Sequence, residues 1–562
     1  MLASVLAVSM LLGSVTQNFA GGGVTSPDAS ASTAADESGL ARLIAAGTLP
    51  GLRCPNFIDR RGDVDRFYRD GNYALAWSRD GRPTPQALAI IELFKQASLK
   101  GLNSEDYDAS RWDARLAAAA VSDPKAQAAA ALDFDLALTV CAMRYVSDLQ
   151  NGRVNPQRRN FAYDAGGEDY DLPEYLRGRV MGSSDVAETI SEVEPPYAGY
   201  KRAEGALATY VKLAAQGDSE PMPVPGKIVR PGESYAAMPQ LIQRLRQLGD
   251  LAATEDNCAD TSAYCGAIVE AVKRFQRRHG LQIDGILGRG TIERMNQPIS
   301  LRVLQLELAL ERYRWLPRKF SNPPILVNIP EFRLHSLRGQ PAPLISMKVV
   351  VGKAYHRRTP VFAQDMRYVI FRPYWNVPRS IVRNELIPKT ARDRRYLATK
   401  NFEVVDNDGD VVTDGLVTDD ILSGLRSGEL EVRQKPGPTN SLGLVKFMFP
   451  NRYNVYMHGT PATELFARAR RDFSHGCIRV EDPVTLAAWV LRDQPEWDVD
   501  RIRATMNGDK TLQVNLIKPV PVLILYTTAV VQPDGEVRFF DDIYGYDASL
   551  AKELAGGCPY AG

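Results

Sequence analysis

Cys477 has the strongest chemical case of any residue in this chain. It lies in Ser474-His475-Gly476-Cys477-Ile478-Arg479, with His458-Gly459-Thr460 a short way upstream. A thiol titrates near ~8.5, so only a few per cent is thiolate at neutral pH, and a catalytic cysteine needs a nearby imidazole or oriented dipoles. His458 is the candidate base. Together the two residues describe a cysteine nucleophile with its own base.

The elements around the pair can be read from residue alternation. Asn454-Val455-Tyr456-Met457-His458 is predicted as a strand, with Val455 and Met457 entering a core and Asn454, Tyr456 and His458 facing the other way. In Ser474 to Val480, Gly476 permits an unusual backbone approach, and Cys477 and Arg479 share one face while Ile478 and Val480 anchor the other. Asp482-Pro483 supplies an N-cap and a first-turn proline, opening a helix through Ala488 and Trp489. The nucleophile is thus expected just before a helix start.

A histidine, a spacer, then Ser-His-Gly-Cys, an apolar residue and Arg resembles the L,D-transpeptidase catalytic signature. Pro373-Tyr374-Trp375-Asn376-Val377-Pro378, Gly437-Pro438 with Asn440 to Gly443, and Lys446 to His458 resemble the large periplasmic branch of that family, so the likeness covers most of the chain. The resemblance implies that Cys477 attacks the bond between an L-centre and D-alanine in a peptidoglycan tetrapeptide stem. D-alanine leaves, a thioester remains, and an amine on a neighbouring stem takes the acyl group to give a 3-3 cross-link. His458 would be the base, the Gly459 carbonyl its orienting partner, and amides around His475, Gly476 and Cys477 the oxyanion donors, each typically worth roughly 3 to 4 kcal/mol. Arg479 would hold a substrate carboxylate. Ser474, Tyr456, Asn454, Trp375 and Tyr374 complete the substrate-binding candidates, and His475 is either structural or substrate-facing. The family needs no cofactor and no metal, and its likeness implies that carbapenem-type lactams acylate Cys477.

Each residue also has a plainer reading. A lone cysteine is more often a small buried hydrophobe. His458, His475 and Cys477 are all zinc-capable, although no short ligand pair such as Cys-x-x-Cys accompanies them. Tyr374, Trp375 and Tyr456 fit core aromatics as well as substrate platforms. Arg372, Arg379, Arg383 and Arg452 serve equally as solvated surface or as a steering field for stem carboxylates.

With 562 residues and a 44% hydrophobic share, the chain can form several packed domains. Its 68 basic residues are balanced by 67 acidic ones, and no recognition motif or basic run points to nucleic acid. Of the six cysteines, Cys258 and Cys265 flank a short loop, where a bond closing about eight residues would contribute roughly 2.5 kcal/mol by the chain-entropy model. Cys54 and Cys558 are another conceivable pair, and Cys141 falls in an apolar helical pattern. The connectivity stays open at this level.

Residues 1–20 carry an apolar run, Met1 to Gly13, too short to span a bilayer, and are read as an export signal or membrane anchor. Residues 21–39 form a Gly/Ser/Thr/Ala-rich linker. A helical scaffold domain is expected over 40–220, with Ala126 to Leu149 its longest periodic run, Gly152 to Pro156 its stop, and Phe67, Tyr68, Tyr73 and Trp77 packing its helices. After the Pro-rich Pro221 to Pro231, residues 235–300 show apolar stripes at Leu241, Leu245, Leu248 and at Ile268, Val272, Phe275. With Gln276, Asp284-Gly285, Gly288, Thr291 and Asn296 they resemble the three-helix peptidoglycan-binding module; Asp284-Gly285 reads as a turn and Thr291 as a residue that caps or begins the last helix.

The catalytic domain is expected over 301–545, followed by a tail at 546–562. A helix from Leu301 to Arg314 leads into strands at Ile325 to Ile329, Leu344 to Val351 and Val361 to Phe371, with more at Val514 to Ile517 and Val520 to Val531. The interval of about 380–443, with helical Asn384 to Thr399 and loop-like Asp406 to Asp410, is too long for a connector. By resemblance it is a lid that excludes water and so favours aminolysis. The expected fold class is therefore multidomain α+β: a helical scaffold, a small three-helix module and a mainly-β catalytic domain with a helical lid insertion. Expected partners are a donor tetrapeptide, an acceptor stem and wall-synthesis proteins, in the periplasm. Two other functions use the same residues: L,D-carboxypeptidase or stem-to-protein attachment through the same acyl-enzyme, and a wall-binding scaffold without catalysis.

Overall fold

Eight strands wrap one apolar core and close on themselves. They are β1 (Ile325–Asn328), β2 (Arg333–Ser336), β3 (Ser346–Gly352), β4 (Val361–Phe371), β5 (Val445–Met448), β6 (Met457–His458), β7 (Ile478–Val480) and β8 (Leu512–Leu525). The computed structural model describes residues 39–119, 123–159, 161–163, 170–252, 254, 263–336, 345–353, 357–556 and 558. The expected export segment and most of its linker, Leu344, and Cys258 lie outside the described residues.

The barrel order is β5-β6-β7-β3-β2-β1-β8-β4, and β4 also pairs with β5, which closes the ring. Val327, Val349, Val351, Val369, Phe447, Met457 and Ile478 point inward into one cluster. Because successive side chains alternate, inward Met457 and Ile478 send Tyr456, His458, Cys477 and Arg479 to the outer face. The two strands expected at 514–531 are one long strand, β8, whose register slips between Asn515 and Val520, followed by a separate strand at Ala529–Val531. Pro519 lies in that slip, where its missing N–H would break a regular ladder.

Between β4 and β5 the chain leaves the barrel for an insertion, the interval expected as a lid. It is helical over Arg379–Arg392, with a wider π-type turn at Val382–Leu386, and over Tyr396–Thr399 and Asp419–Ser427. It also holds a four-stranded sheet of Trp375–Asn376, Phe402–Val405, Val411–Thr413 and Glu431–Gln434 that the sequence reading did not anticipate. Phe402 to Val405 are all buried, so the alternation that marks a half-exposed strand is missing. Val377, Leu386, Leu397, Val404, Leu422 and Val432 give the lid its own core.

The N-terminal domain is helical around Pro124–Asn151, capped by Asp123 and ended by Gly152 at φ +78°. This helix is long and apolar enough to cross a membrane, but Phe134 to Gln150 are buried among neighbouring helices, with Cys141 inside. Phe67 stacks on Trp77, and Tyr68 donates to Asp135 at 2.7 Å. The domain joins the barrel directly: Phe161–Ala162 pairs with β4, and a disulfide links Cys54 to Cys558. The segment expected as a tail forms the helix Tyr546–Leu554 before that cysteine. Cys265 is also disulfide-bonded.

Helices Met238–Gln247, Gly266–Arg278 and Arg289–Met295 enclose the small central core. The Gln276 amide pins the turn between the last two, donating to Asp284 and the Ile286 carbonyl and accepting from the Asp284 and Gly285 amides. Gly288, not Thr291, occupies the N-cap of the third helix. Thr291 lies inside the first turn, and its hydroxyl donates to the Ile286 carbonyl.

Candidate active site

The parallel register of β6 and β7 sets Met457 opposite Ile478 and His458 opposite Arg479. Tyr456 therefore lies beside Cys477, with its carbonyl accepting from the Ile478 amide at 3.1 Å. His458 is one diagonal step away on the same face. Lys446 of β5 pairs with His458 from the other side and brings its ammonium 3.9 Å above the Tyr456 ring centroid. The outer face thus gathers Lys446, Tyr456, His458, Cys477 and Arg479.

Half-buried Cys477 points its sulfur toward the Asn454 carbonyl at 3.9 Å and meets the Tyr456 hydroxyl. Burial pushes the thiol up, against opposing contributions from Tyr456, Lys446 and Arg479. His458 is buried, and its Nδ1 faces the Gly459 carbonyl at 2.5 Å. Burial first, then the Arg479 and Lys446 cations, pull the imidazole down to about 3. The resting pair is therefore a neutral thiol and a neutral imidazole, and no hydrogen bond joins them. Arg479 is half-buried, its Nε shielded and unbonded.

Strand geometry breaks at the nucleophile, as the sequence leads one to expect. Asp472–Ser474 and β7 flank a turn in which Gly476 takes φ +121°, a region that favours glycine. Ser474 clamps this turn: its hydroxyl accepts from the Gly476 amide at 3.1 Å and donates to the Cys477 carbonyl at 2.5 Å. The Gly476 amide is thereby occupied. Among the described residues, the His475 and Cys477 amides have no acceptor.

The remaining sequence candidates surround Cys477 and His458, and one departs from its expected conformation. Asn454 is not extended; at φ +53° it occupies a turn held by Asn451, and it offers its backbone carbonyl to the sulfur. His475 is exposed and turns to the lid, its Nε2 lying 2.7 Å from Glu385 and in contact with Arg357. His458, His475 and Cys477 therefore do not converge as metal ligands. Trp375, in the lid sheet, packs on Phe402 and hydrogen-bonds the Tyr456 hydroxyl. Tyr374 is 43% exposed beneath the Arg433 guanidinium. Sequence reasoning missed Lys446, Glu385 and Arg357 as site neighbours. Lys446 alone carried a signal, a charged residue between the apolar positions Val445 and Phe447.

Residues 323–520 match the family described as "L,D-transpeptidase catalytic domain", residues 234–295 that described as "Putative peptidoglycan binding domain", and residues 62–207 that described as "Scaffold domain". The barrel and its insertion are thus similar to the L,D-transpeptidase catalytic domain. It is 32% identical over 246 residues to a Haemophilus influenzae protein named "Putative L,D-transpeptidase"; the match covers 44% of this chain and 48% of that protein, about half its length. A solved L,D-transpeptidase (residues 123–326) from Xylanimonas cellulosilytica aligns over 54% of this chain and all of its own at 15% identity and a TM-score of 0.17, too distant to inform the site.

Proposed function

We propose that the chain forms 3-3 cross-links between peptidoglycan stems through a thioester on Cys477. The observation that carries this reading is the outer barrel face itself, where one thiol, one neutral imidazole, two cations and two free amides sit under a lid. A donor tetrapeptide places a carboxylate on Arg479, whose guanidinium otherwise feels only the longer-range attraction of Glu464 among the described carboxylates. That neutralises the larger of the two cationic influences that suppress His458, after burial itself, so the imidazole gains proton affinity as substrate binds.

His458 then takes the thiol proton as Cys477 attacks the carbonyl preceding D-alanine, and the His475 and Cys477 amides receive the oxyanion. Collapse expels D-alanine, which leaves with the proton from the imidazolium. The acceptor amine attacks the thioester by the reverse route, losing its proton to His458 and regenerating the thiol. The Gly459 carbonyl holds the ring through Nδ1, and closure of the lid limits attack by water. No cofactor takes part. The second domain would hold the enzyme on the wall, outside the cytoplasm, whether after cleavage of the N-terminal segment or anchored by it.

Incubation with defined tetrapeptide muropeptides tests the reading. Mass analysis should give cross-linked dimers and free D-alanine with the native chain and neither with Cys477→Ala. Trimmed tripeptides without dimers would replace transpeptidation by carboxypeptidase activity.

A further inference from the structure

Lys446 is a half-buried ammonium with no carboxylate partner among the described residues. Removing such a charge from water is costly unless an anion compensates. Its position is set by main-chain pairing: β5 runs between β4 and β6, with Lys446 opposite both Ile370 and His458. The ammonium lies over Tyr456, the residue beside Cys477 whose hydroxyl meets the sulfur. One cation, one ring and one thiol are therefore stacked in sequence on the outer face.

We propose that Lys446 is the counter-cation for the thiolate that forms on Cys477, held in place by the face of the Tyr456 ring. This deepens the reading of Cys477 as the nucleophile and rests on it. The other charged or titratable groups around the sulfur are accounted for. From β6 come Tyr456 and His458, and from β7 comes Arg479, which also interacts with Glu464 of the short helix Thr463–Ala467. From the segment behind Gly476, Arg357 pairs with Glu385 of the lid and with His475, and Arg358 stacks on Tyr544 and Tyr546. Arg479 also attracts the thiolate, after Lys446 in weight, and a bound substrate carboxylate engages it, which leaves Lys446 as the cation that balances sulfur once substrate is in place. Mutual electrostatic coupling of Lys446 and Cys477 agrees with this assignment.

The test needs no peptidoglycan, so it stands apart from the transpeptidation assay. The rate of Cys477 alkylation by iodoacetamide, a neutral reagent, is followed against pH by intact-protein mass in the native chain, Lys446→Met and Lys446→Arg. Lys446→Met should raise the titration midpoint by about one pH unit. It should slow alkylation at pH 7 about fourfold: roughly tenfold less thiolate, partly offset by the greater nucleophilicity of a more basic sulfur. Lys446→Arg should keep the midpoint near the native value. An unmoved midpoint in Lys446→Met would overturn the proposal, and so would an equal shift in both variants, which would make packing rather than charge the cause. If either variant loses the native melting transition, alkylation of Tyr456→Phe decides instead, since it keeps the ring platform: a midpoint displaced by less than half a unit supports Lys446, whereas a shift of one unit or more assigns thiolate stabilisation to the Tyr456 hydroxyl and overturns it.

Discussion

Glu385 of the lid lies 2.7 Å from Nε2 of His475, two residues before the nucleophile, and the same carboxylate pairs with Arg357 at 3.0 Å. Trp375 makes a second link, from the lid sheet to Tyr456. The lid is thus fastened both to the nucleophile turn and to the strand beside it. Of these contacts, the Glu385 pair is the one that can be cut without altering the barrel face.

Glu385→Gln should loosen the lid. Exposed ion pairs contribute only about 0.2 to 1 kcal/mol each, so the expected change is a two- to fivefold rise in hydrolysed relative to cross-linked product, with faster amide exchange over residues 382–399. An unchanged product ratio in muropeptide analysis would show that this contact does not control water.

Gly443 adopts φ +64°, and a Cβ there would lie 2.6 Å from the Thr460 nitrogen and 2.7 Å from the Gly459 carbonyl carbon. Gly459 is the residue whose carbonyl holds the His458 ring. Gly443→Ala should therefore cost about 1 to 2 kcal/mol for the left-handed backbone alone, and should also tilt the imidazole. A drop in kcat of tenfold or more, beyond any loss of folded protein, is expected from steady-state assays, and native kcat would refute the coupling.

Most of the barrel could be read from the sequence because its strands alternate. Val361 to Phe371 was located to the residue, and Met457 and Ile478 point inward as their spacing requires. The site's framework was legible for the same reason, since two short strands with known inward residues fix what faces out. Three features were not. Asn454 left the strand because Asn451 captures the backbone of Val455, a local competition invisible to periodicity. The lid sheet was hidden because Phe402–Val405 is buried throughout and its partner strands are two to four residues long, too short to show a period. Lys446 shows as a charge between apolar Val445 and Phe447, but that it lies across from His458 follows from strand pairing, and the contact of Glu385 with His475 joins segments far apart in the chain, which no local pattern encodes.

Gln276 makes four hydrogen bonds to the turn that precedes the third helix of the small domain. Gln276→Leu keeps the volume and removes all four. Three of the bonds are neutral, worth about 1 kcal/mol each, and the one to the Asp284 carboxylate is worth about 1.5 to 3 kcal/mol, so the turn should be destabilised by several kcal/mol. Retention of the full-length variant on purified sacculi should fall below half that of the native chain, if the module binds the wall. Equal retention would place wall contact elsewhere in the chain.

Buried histidines make the fold sensitive to acid. His458 is held down to about 3 by burial, with Arg479 and Lys446 adding to it, and buried His279 is likewise well below the ordinary value. Lowered folded values mean that the unfolded chain binds protons the folded chain refuses. Their contribution to stability is thus complete above about pH 6.5 and is lost as pH falls toward 3. At pH 5 the loss is about 2 kcal/mol for His458, because one pH unit corresponds to about 1.4 kcal/mol. Native-state hydrogen exchange along β6 and β7 at pH 7 and pH 5 reads this directly. The native chain should lose about 2 kcal/mol more opening free energy than His458→Gln over that interval, since the variant carries no titrating ring there. Identical pH slopes in the two proteins would mean that the His458 ring is solvated enough to take a proton while folded, which would also remove the reason for needing substrate to awaken it as a base.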